Sequence, residues 1–240
     1  MADLRGRERA YYVTRMFSRI APHYDLLNTV MTAGRHHAWR RMAAETAVGP
    51  TSGTALDVAA GTCDFALDLA RRPSVSHVVA LDRSGEMLSV GRSKADRRGL
   101  TQALTLAVGD AHDLPFADDR FMCATVGFGV RNYADVGAAM REMVRVVAPG
   151  GKVVVLEIVR TEGWLGWGRL FRFYFRRVTP WLGALIARDR EAYTYLPESV
   201  AAFYSAGQLA SMMEEAGLQK VETRSLALGT VAIISGEKGP

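Results

Sequence analysis

The 240-residue sequence lacks most of the features that would place a chain in a specialised structural class. Its two cysteines, Cys63 and Cys123, cannot build a disulfide framework, and no group of Cys and His residues has the spacing of a zinc site. No stretch of about 18 residues is free of charge, and no apolar run follows the basic N-terminus, so neither a membrane-spanning helix nor a signal peptide is expected. A protein of the reducing cytoplasm, with no metal centre, is predicted.

The sequence also lacks internal repeats and any linker rich in Pro, Gly and Ser, and its length suits a single domain over residues 1–240. Hydrophobic residues make up 49% and charged residues 23%, and these ordinary values exclude a disordered or low-complexity chain. The net charge of +5 and the pI of about 9.4 leave nucleic acid or an anionic membrane surface open as partners.

Short apolar runs alternate with longer helical stretches. The runs show no polar alternation, which is typical of strands buried on both faces of a parallel sheet; the predicted strands are 54–59, 77–82, 104–109, 121–126 and 152–157. Helices are predicted at 64–72, 84–97 and 135–147. Ser84 and Asp135 stand at N-cap positions, and Pro149-Gly150-Gly151 is expected to end the last helix. This alternation predicts a doubly wound α/β sheet.

Three segments flank the cofactor-binding core predicted for residues 50–160. Residues 8–47 are predicted to form a helical cover, and residues 163–200 a helical insertion or lid after the fifth strand. Both are expected to cover the carboxyl ends of the strands, where open α/β sheets bind ligands. Residues 205–236 are predicted to form a helix and a hairpin.

The signals for this C-terminal unit are local. Ser205-Ala-Gly-Gln208 is a capping box that opens a helix, and Gly217 closes that helix. Two strand-like runs, near 219–224 and 230–235, are separated by a tight connection. They predict an antiparallel hairpin at the edge of the sheet.

The turn after the first strand reads Leu56-Asp57-Val-Ala-Ala-Gly61-Thr-Cys-Asp64, with only one of the three glycines of a dinucleotide-binding turn. Asp57 would repel a pyrophosphate, which counts against a nicotinamide dehydrogenase. Asp82 and Asp110 stand at the ends of the next two strands, so carboxylates gather at the expected ligand site. Such a site favours a cationic cofactor over a phosphorylated one.

S-adenosylmethionine fits, because it carries a sulfonium, an amino group and a ribose diol. Asp82, about 20 residues past the turn, is predicted to accept from the ribose hydroxyls. Asp110 would accept from the adenine amino group, with the Ala111 N–H facing the ring. Gly61 would allow close backbone approach, and Thr62 would supply a hydroxyl. Alternatively, each aspartate is an N-cap or strand-end residue of an unrelated α/β protein, but three of them around a glycine turn favour the cofactor.

The turn, with Leu81-Asp82 and Gly109-Asp110-Ala111, resembles that of the class I methyltransferases. Further motifs resemble the ubiquinone/menaquinone biosynthesis C-methyltransferase family over about residues 12–236: Tyr24-Asp25 with His36 and Trp39, Gly127-Phe-Gly-Val-Arg131-Asn132, and Tyr193-Thr-Tyr195-Leu-Pro. The resemblance implies a Rossmann-like, seven-stranded class I S-adenosylmethionine-dependent methyltransferase fold, with Gly127 at the cofactor. Cys63 stands where the family usually has glycine, and it is expected to place a side chain beside the cofactor.

The resemblance implies C-methylation of a reduced, prenylated quinol ring in quinone biosynthesis. Demethylmenaquinol is the preferred substrate, in menaquinone biosynthesis. The alternatives are 2-methoxy-6-polyprenyl-1,4-benzoquinol, in ubiquinone biosynthesis, and another small aromatic molecule. A quinol carbon becomes nucleophilic when a ring hydroxyl is deprotonated, whereas an oxidised quinone is electrophilic and should not react.

Arg131, Asn132 and Tyr24 are the candidate catalytic residues. Arg131 follows the fourth strand and would stabilise the developing phenolate, although a guanidinium is a poor base. Asn132 would fix a water or a quinol oxygen. Tyr24 would donate a hydrogen bond in the pocket, as would Tyr193 and Tyr195.

Three other polar residues of the helical cover are assigned lesser roles. His23 and His36 could act as bases, but a lone histidine in a helix is more often structural or exposed. Asp25 is expected to anchor its helix rather than to act on the substrate.

The predicted lid has one aromatic and one basic helical face, formed by Trp167, Phe171, Tyr174 and Val178 and by Arg169, Arg172 and Arg176. It is interpreted as a peripheral contact with anionic lipid at the inner face of the membrane, the alternative being a packed lid with solvated arginines. Nucleic acid is not expected as a partner, because no basic stripe carries interleaved aromatics. A noncatalytic protein that only senses the cofactor is an alternative function, but such a protein would not need Arg131 and Asn132.

The sequence leaves open whether the protein forms a homodimer.

Overall fold

The structure is a computed structural model that describes residues 6–49, 52–160, 195 and 199–240. Two helices, α1 (Gly6–Thr32) and α2 (Arg35–Ala47), precede the sheet. The elements that follow are β1 (Gly53–Val58), α3 (Asp64–Leu69), β2 (Val75–Asp82), α4 (Gly85–Arg97), β3 (Leu104–Val108), β4 (Phe121–Gly127), α5 (Val136–Val146), β5 (Val147–Ile158), α6 (Ala206–Glu215), β6 (Leu218–Leu226) and β7 (Val231–Lys238).

The seven strands form one sheet in the order β3-β2-β1-β4-β5-β7-β6. The first five are parallel, and β7 runs antiparallel between β5 and β6. This confirms the predicted seven-stranded α/β sheet and its C-terminal antiparallel hairpin. The strand order reverses between β1 and β4, and at such a switch point the carboxyl ends of neighbouring strands open a crevice for a ligand.

Helices cover both faces of the sheet. Residues of α5 and α6, among them Met140, Met143 and Leu209, pack on one face. Residues of α2, α3 and α4, among them Ala43, Phe65 and Leu88, pack on the other. The central strands are therefore apolar on both sides, which explains why their sequences show no polar alternation.

The predicted helix caps are present. The Ser84 hydroxyl accepts from the Met87 N–H at 3.1 Å, and Asp135 Oδ1 accepts from the Ala138 N–H at 2.9 Å. Ser205 and Gln208 form the reciprocal capping box that begins α6. These caps satisfy N–H groups that have no partner within the helix, and they fix the residue at which each helix begins.

Two predicted boundaries are wrong. Helix α3 ends at Leu69 rather than at residue 72. Pro149-Gly150-Gly151 lies inside β5, because α5 already ends at Val146 and the strand begins at Val147. The pairing of β4 with β5 shifts register here, and this bulge accommodates a proline that has no N–H to donate. A Cβ on Gly151 would lie 2.5 Å from the Met122 carbonyl oxygen, so the bulge requires glycine.

Within the predicted helical cover, α1 borders the cleft at the carboxyl ends of the strands, whereas α2 packs on a face of the sheet. Helix α1 lies against α4, and α2 lies against α3 and β5. Buried residues of α1, including Met16 and Leu27, pack with Tyr195. The rest of the predicted lid face, from Trp167 to Val178, and Tyr193 lie outside the described residues. Among the described helices, none is long and apolar enough to cross a membrane.

Candidate active site

A cleft opens at the carboxyl ends of β1, β2 and β4, with a volume of about 760 Å³ that includes space open to solvent. We call it the cofactor cleft. Of the predicted cofactor residues, those that line it are Gly61, Asp82, Asp110, Ala111 and Gly127. The fold thus brings together residues that are up to 66 positions apart in the sequence, from 61 to 127.

The turn after β1 is built from left-handed backbone. Ala59, Gly61 and Cys63 have φ values of 51°, 55° and 63°. The turn is held by Asp82, whose Oδ2 accepts from the Gly61 N–H at 2.8 Å while its Oδ1 accepts from the Ser84 N–H at 2.8 Å. Burial raises the pKa of Asp82, although these backbone hydrogen bonds oppose that shift. Asp82 therefore both organises the turn and presents a carboxylate to the cleft.

Asp57 lies behind this turn and is fully buried. Its Oδ1 accepts from the Thr125 hydroxyl at 2.8 Å, whereas its Oδ2 has no partner among the described residues. Burial raises the pKa of Asp57 to about 7. It lines a small polar recess beside the cleft, together with Arg40, Thr62 and Gly127. A buried carboxylate oxygen with no donor suits a cationic ligand group in that recess.

Asp110 is more heavily engaged than the sequence predicts. Its Oδ1 accepts from His112 through the backbone N–H at 3.1 Å and the ring Nδ1 at 2.7 Å, and its Oδ2 lies 3.3 Å from Arg83. Burial opposes ionisation, but the hydrogen bonds from His112 outweigh it and lower the pKa of Asp110. His112 Nε2 accepts from the Asp135 N–H at 3.2 Å, which assigns the ring proton to Nδ1.

Thr62 does not turn its hydroxyl toward the cleft. It donates to Asp25 Oδ1 at 2.6 Å and accepts from Lys94 at 3.1 Å. Lys94 Nζ also lies 2.7 Å from Asp25 Oδ2 and 2.5 Å from Asp64 Oδ1. These four residues, called the lysine cluster, join α1, the β1 turn, α3 and α4. Asp25 therefore anchors its helix, as predicted.

A second cavity, the apolar chamber, adjoins the cofactor cleft. Its lining is mostly apolar and aromatic: Met16, Phe17, Ile20, Tyr24, Met31, Trp39, Phe128, Ile158 and Tyr195, with Asn28, Thr32, His36 and Arg131. Phe17, Tyr24 and Phe128 line both cavities. A planar apolar ligand in the chamber would thus meet a ligand of the cleft at these three aromatic residues.

The turn after β4 places two predicted catalytic residues on different cavities. Arg131 lines the apolar chamber, and Asn132 lines the cofactor cleft. Arg131 Nη1 donates to Glu157 Oε1 at 2.6 Å and to the Phe128 carbonyl at 2.7 Å. Asn132 Oδ1 accepts from the Tyr195 hydroxyl at 3.0 Å. The two residues therefore lie where cleft and chamber meet.

Comparison with known proteins identifies the family of the chain. A family model described as "ubiE/COQ5 methyltransferase family" matches residues 5–238. The chain belongs to this family. It is 44% identical over 223 residues to a demethylmenaquinone methyltransferase of Thermus thermophilus, covering 93% of this chain and all of that one. It is 38% identical to the ubiquinone/menaquinone biosynthesis C-methyltransferase UbiE of Geotalea daltonii, covering 96% of this chain and 98% of that one.

Solved structures support the fold of this family member. The [4+2]-cyclase SpnF superimposes with a TM-score of 0.70 at 18% identity, covering 95% of each chain. A Thermotoga maritima protein described as an S-adenosylmethionine-dependent methyltransferase gives 0.65 at 19% identity, covering 93% of this chain and 98% of that one. Together with the family match, these likenesses confirm the predicted Rossmann-like methyltransferase fold.

Cys63 does not face the cofactor cleft, and the expectation that its side chain lies beside the cofactor is wrong. The side chain is fully buried and lines neither cavity. It points into α4, where a Cβ built on Gly91 would lie 2.9 Å from Cys63 Cβ and closer still to its sulfur. The left-handed backbone directs the side chain there, and Gly91 provides the space.

The histidines considered as bases are both unsuited to that role. His23 is exposed on α1 and lines no described cavity. His36 lines the chamber, but its Nδ1 is bonded to Arg40 and its Nε2 lies 3.1 Å from the Thr29 hydroxyl. Burial, reinforced by the charge of Arg40, lowers the pKa of His36 to about 3. His36 is therefore neutral, with both ring nitrogens in hydrogen bonds.

Sequence reasoning missed Lys94, Glu157 and Phe128. A signal existed for Lys94, because Met87, Gly91 and Lys94 recur at helical spacing and share the inward face of α4. Glu157 closes an apolar strand at the ligand edge, as Asp82 does, and could have been noticed for the same reason. Nothing in the sequence indicates that Phe128 adopts a left-handed φ of 60° between the two cavities.

Proposed function

We propose that this protein methylates a ring carbon of demethylmenaquinol, in menaquinone biosynthesis, with S-adenosylmethionine as the methyl donor. The observation that carries the proposal is an apolar chamber that meets a polar cofactor cleft at Tyr24 and Phe128, with the Arg131 guanidinium in the chamber wall. The Thermus relative is named for this reaction. The name of the Geotalea relative also covers ubiquinone biosynthesis, which keeps the methoxy-polyprenyl benzoquinol as the second candidate.

The residues of the cleft fit S-adenosylmethionine. Asp57 Oδ2, buried and without a donor among the described residues, would accept from its amino group. Asp82 would accept from the ribose hydroxyls, and Asp110 with Ala111 would meet the adenine. A Cβ on Gly127 would lie 2.9 Å from the Phe65 ring, so the packing of Phe65 against the end of β4 requires glycine at this position of the cleft lining. When bound, the cofactor supplies an electrophilic methyl group.

The protein's own residues would orient the quinol and manage its charge. Met16, Ile20 and Phe128 would hold the ring by apolar contact and exclude water, so that alignment of the reacting atoms provides much of the rate. Arg131 would stabilise the phenolate oxygen. Burial opposes its charge, but Glu157 outweighs burial and raises the pKa of Arg131, so Arg131 is not the base. Because His36 is also unsuited, the phenolic proton would leave to water held near Asn132 and Tyr24. After the methyl–carbon bond has formed, the hydrogen of that ring carbon would leave to water and the ring would regain its aromaticity.

A prenylated substrate resides in a membrane, so the protein must reach the lipid surface. On α1, Leu26 and Val30 are 54% and 41% exposed and stand four residues apart on one side of the helix. Met31, the next residue, lines the apolar chamber. These residues support peripheral contact with the inner face of the membrane near the chamber entrance, from the cytoplasm.

The test is transfer of labelled methyl from S-adenosylmethionine into solvent-extractable product. Demethylmenaquinol kept reduced by dithionite, the methoxy-polyprenyl benzoquinol, oxidised demethylmenaquinone and RNA are compared as acceptors. Label in the naphthoquinol sample with little in the oxidised one supports the proposal. Preference for the benzoquinol would reassign the substrate, and label in RNA alone would overturn the proposal.

The rates of two variants test whether the reaction takes place at the chamber. Phe128→Ala and Tyr24→Phe should each lower the rate, because both residues line the junction of the cavities. Lys220→Ala is the matched control, since its side chain is 73% exposed and, within the described residues, its ion pair is with Glu237 on the far hairpin. Equal rates for all three variants would place the reaction elsewhere.

A further inference from the structure

Glu157 is a fully buried carboxylate at the carboxyl end of β5, and it binds Arg131 twice. Its Oε1 accepts from Arg131 Nη1 at 2.6 Å, and its Oε2 accepts from the Arg131 backbone N–H at 3.3 Å. Oε1 also accepts from the Ile158 N–H at 2.8 Å, which fixes the carboxylate on its own strand. One side chain thus holds both the backbone and the guanidinium of Arg131.

The strand register places Glu157 behind the turn that carries Arg131. Gly127, the last residue of β4, pairs with Leu156, and the Phe128 N–H donates to the Leu156 carbonyl at 2.7 Å. The chain then turns through Val130–Asn132, and its Arg131 N–H meets Glu157. Glu157 therefore ties this turn to the rigid centre of the sheet.

The hydrogen bonds leave part of the guanidinium without a partner among the described residues. Nη1 is committed to Glu157 and to the Phe128 carbonyl. Nε is buried and has no partner among the described residues, although Arg131 lines the apolar chamber. A fixed donor group with an unsatisfied N–H in an apolar wall is the arrangement that stabilises an oxyanion.

We propose that Glu157 is a positioning residue for methyl transfer: it holds the Arg131 guanidinium in one orientation, so that its remaining N–H groups meet the phenolate oxygen of the substrate. The inference rests on the proposed function for its chemistry and on the Glu157–Arg131 contacts for its geometry. Glu157 lines neither cavity and acts only through Arg131.

A carboxylate is required, because the three groups that it binds, Arg131 Nη1 and the backbone N–H groups of Arg131 and Ile158, are all donors. In a Glu157→Gln variant, one oxygen could still accept from Arg131, but the NH₂ group would face the other donor. Either the backbone N–H or Nη1 of Arg131 would lose its acceptor in a buried site. In either case Arg131 loses one of its two bonds to residue 157 and the buried guanidinium loses its counter-charge, so its orientation would be held less firmly.

The test combines a double-mutant cycle with a measurement that needs no turnover. Glu157→Gln, Arg131→Ala and the double variant are assayed for cofactor affinity by calorimetry and for methylation of reduced demethylmenaquinol. We expect Glu157→Gln to lower kcat at least tenfold with less than a twofold change in cofactor Kd. The double variant should be no slower than Arg131→Ala, because Glu157 acts through that residue. Additive losses in kcat would overturn the proposal.

The second measurement is the Nε–H resonance of Arg131 in protein labelled with ¹⁵N-arginine, assigned by its loss in Arg131→Ala. We expect slow exchange with water in the wild type and fast exchange in Glu157→Gln. An unchanged exchange rate refutes the positioning role whatever the substrate. If the wild-type protein methylates none of the quinols, the proposed function fails, and this resonance alone decides the role of Glu157.

Glu157→Asp provides a second variant should the glutamine variant fold poorly. It keeps the charge but withdraws the carboxylate by one methylene, so we expect an exchange rate and a kcat between those of wild type and Glu157→Gln. A Glu157→Asp variant equal to wild type in both measurements contradicts the proposal.

Discussion

Gly91 on α4 should contribute to stability because of Cys63, and replacing both residues should remove that contribution. A methyl group at position 91 would lie 2.9 Å from Cys63 Cβ, nearer still to its sulfur, and 3.3 Å from the Thr62 carbonyl carbon. The Cys63 side chain is fully buried between the β1 turn and α4, so it has no room to move away. Gly91→Ala therefore overpacks the contact between the β1 turn and α4.

The magnitude follows from opposing contributions. Overpacking a buried contact costs about 1–3 kcal/mol, whereas alanine is better than glycine in a helix interior by about 1 kcal/mol. We expect Gly91→Ala to be destabilised by up to about 2 kcal/mol. Cys63→Gly should be near neutral, because relief of the left-handed backbone, about 1–2 kcal/mol, is offset by the loss of a buried side chain. In the double variant the clash is gone and the helix gain of about 1 kcal/mol remains.

The assay is urea unfolding followed by circular dichroism, with the four proteins of the cycle compared at equal denaturant slope. Gly85→Ala is the matched control, because Gly85 begins the same helix and a Cβ there would have nothing within 4 Å. The coupling between positions 63 and 91 should be about 1–3 kcal/mol. A Gly91→Ala variant as stable as Gly85→Ala, or a coupling of zero, would refute this account of the turn.

Three further predictions concern the charged and polar groups around the site. Burial raises the pKa of Asp57 from 3.8 to about 7, so the wild-type protein without cofactor should lose stability relative to Asp57→Asn as the pH rises from about 4 to about 7. Urea unfolding midpoints of the two proteins, measured across this pH range, test the direction of the change. A difference in stability that stays constant with pH would contradict the prediction. Asp25→Asn should lower stability by about 1 kcal/mol and weaken cofactor binding, because Lys94 and the β1 turn lose their link to α1. Urea unfolding measures the stability and calorimetry the cofactor affinity. An unchanged affinity would show that the lysine cluster does not support cofactor binding. Tyr195→Phe removes the hydrogen bond to Asn132 and should lower kcat severalfold without changing cofactor Kd; a changed Kd would show that Asn132 acts on the cofactor instead.

The fold was predictable because its determinants are local or periodic. Runs such as Val78–Leu81 in β2 are apolar on every residue, since both faces of the strand are covered, and Ser84 and Asp135 are caps that act within one turn of helix. The start of β5 was not predictable, because Pro149-Gly150-Gly151 is tolerated only by a bulge opposite Met122. That bulge depends on a neighbouring strand, which no local pattern reports.

The candidate site was predictable at the strand ends and less so between elements. Asp82 could be placed by its distance from the β1 turn, because chain topology fixes where that strand ends. The partners of Thr62 and Asp110 could not be predicted, since Lys94 and His112 reach them from other elements. Cys63 was misplaced for a related reason: the sequence shows a side chain in the turn, but only the left-handed φ of 63° shows that it points into α4.

The electrostatics of the two cavities match a reaction between a cation and an anion. Most charges around them are compensated within the protein, Lys94 by Asp25 and Asp64, and Arg131 by Glu157. Among the buried polar atoms that have no partner in the described part of the chain are an acceptor, Asp57 Oδ2 in the polar recess, and a donor, Arg131 Nε beside the apolar chamber. The acceptor suits a cationic group and the donor an oxyanion, so each would bind on its own side. Methyl transfer from a sulfonium to a phenolate neutralises both charges. Surroundings that stabilised those charges strongly would lower the free energy of the reactants more than that of the transition state, and would thereby raise the barrier. Because the charges around the two cavities are compensated within the protein, this cost is small.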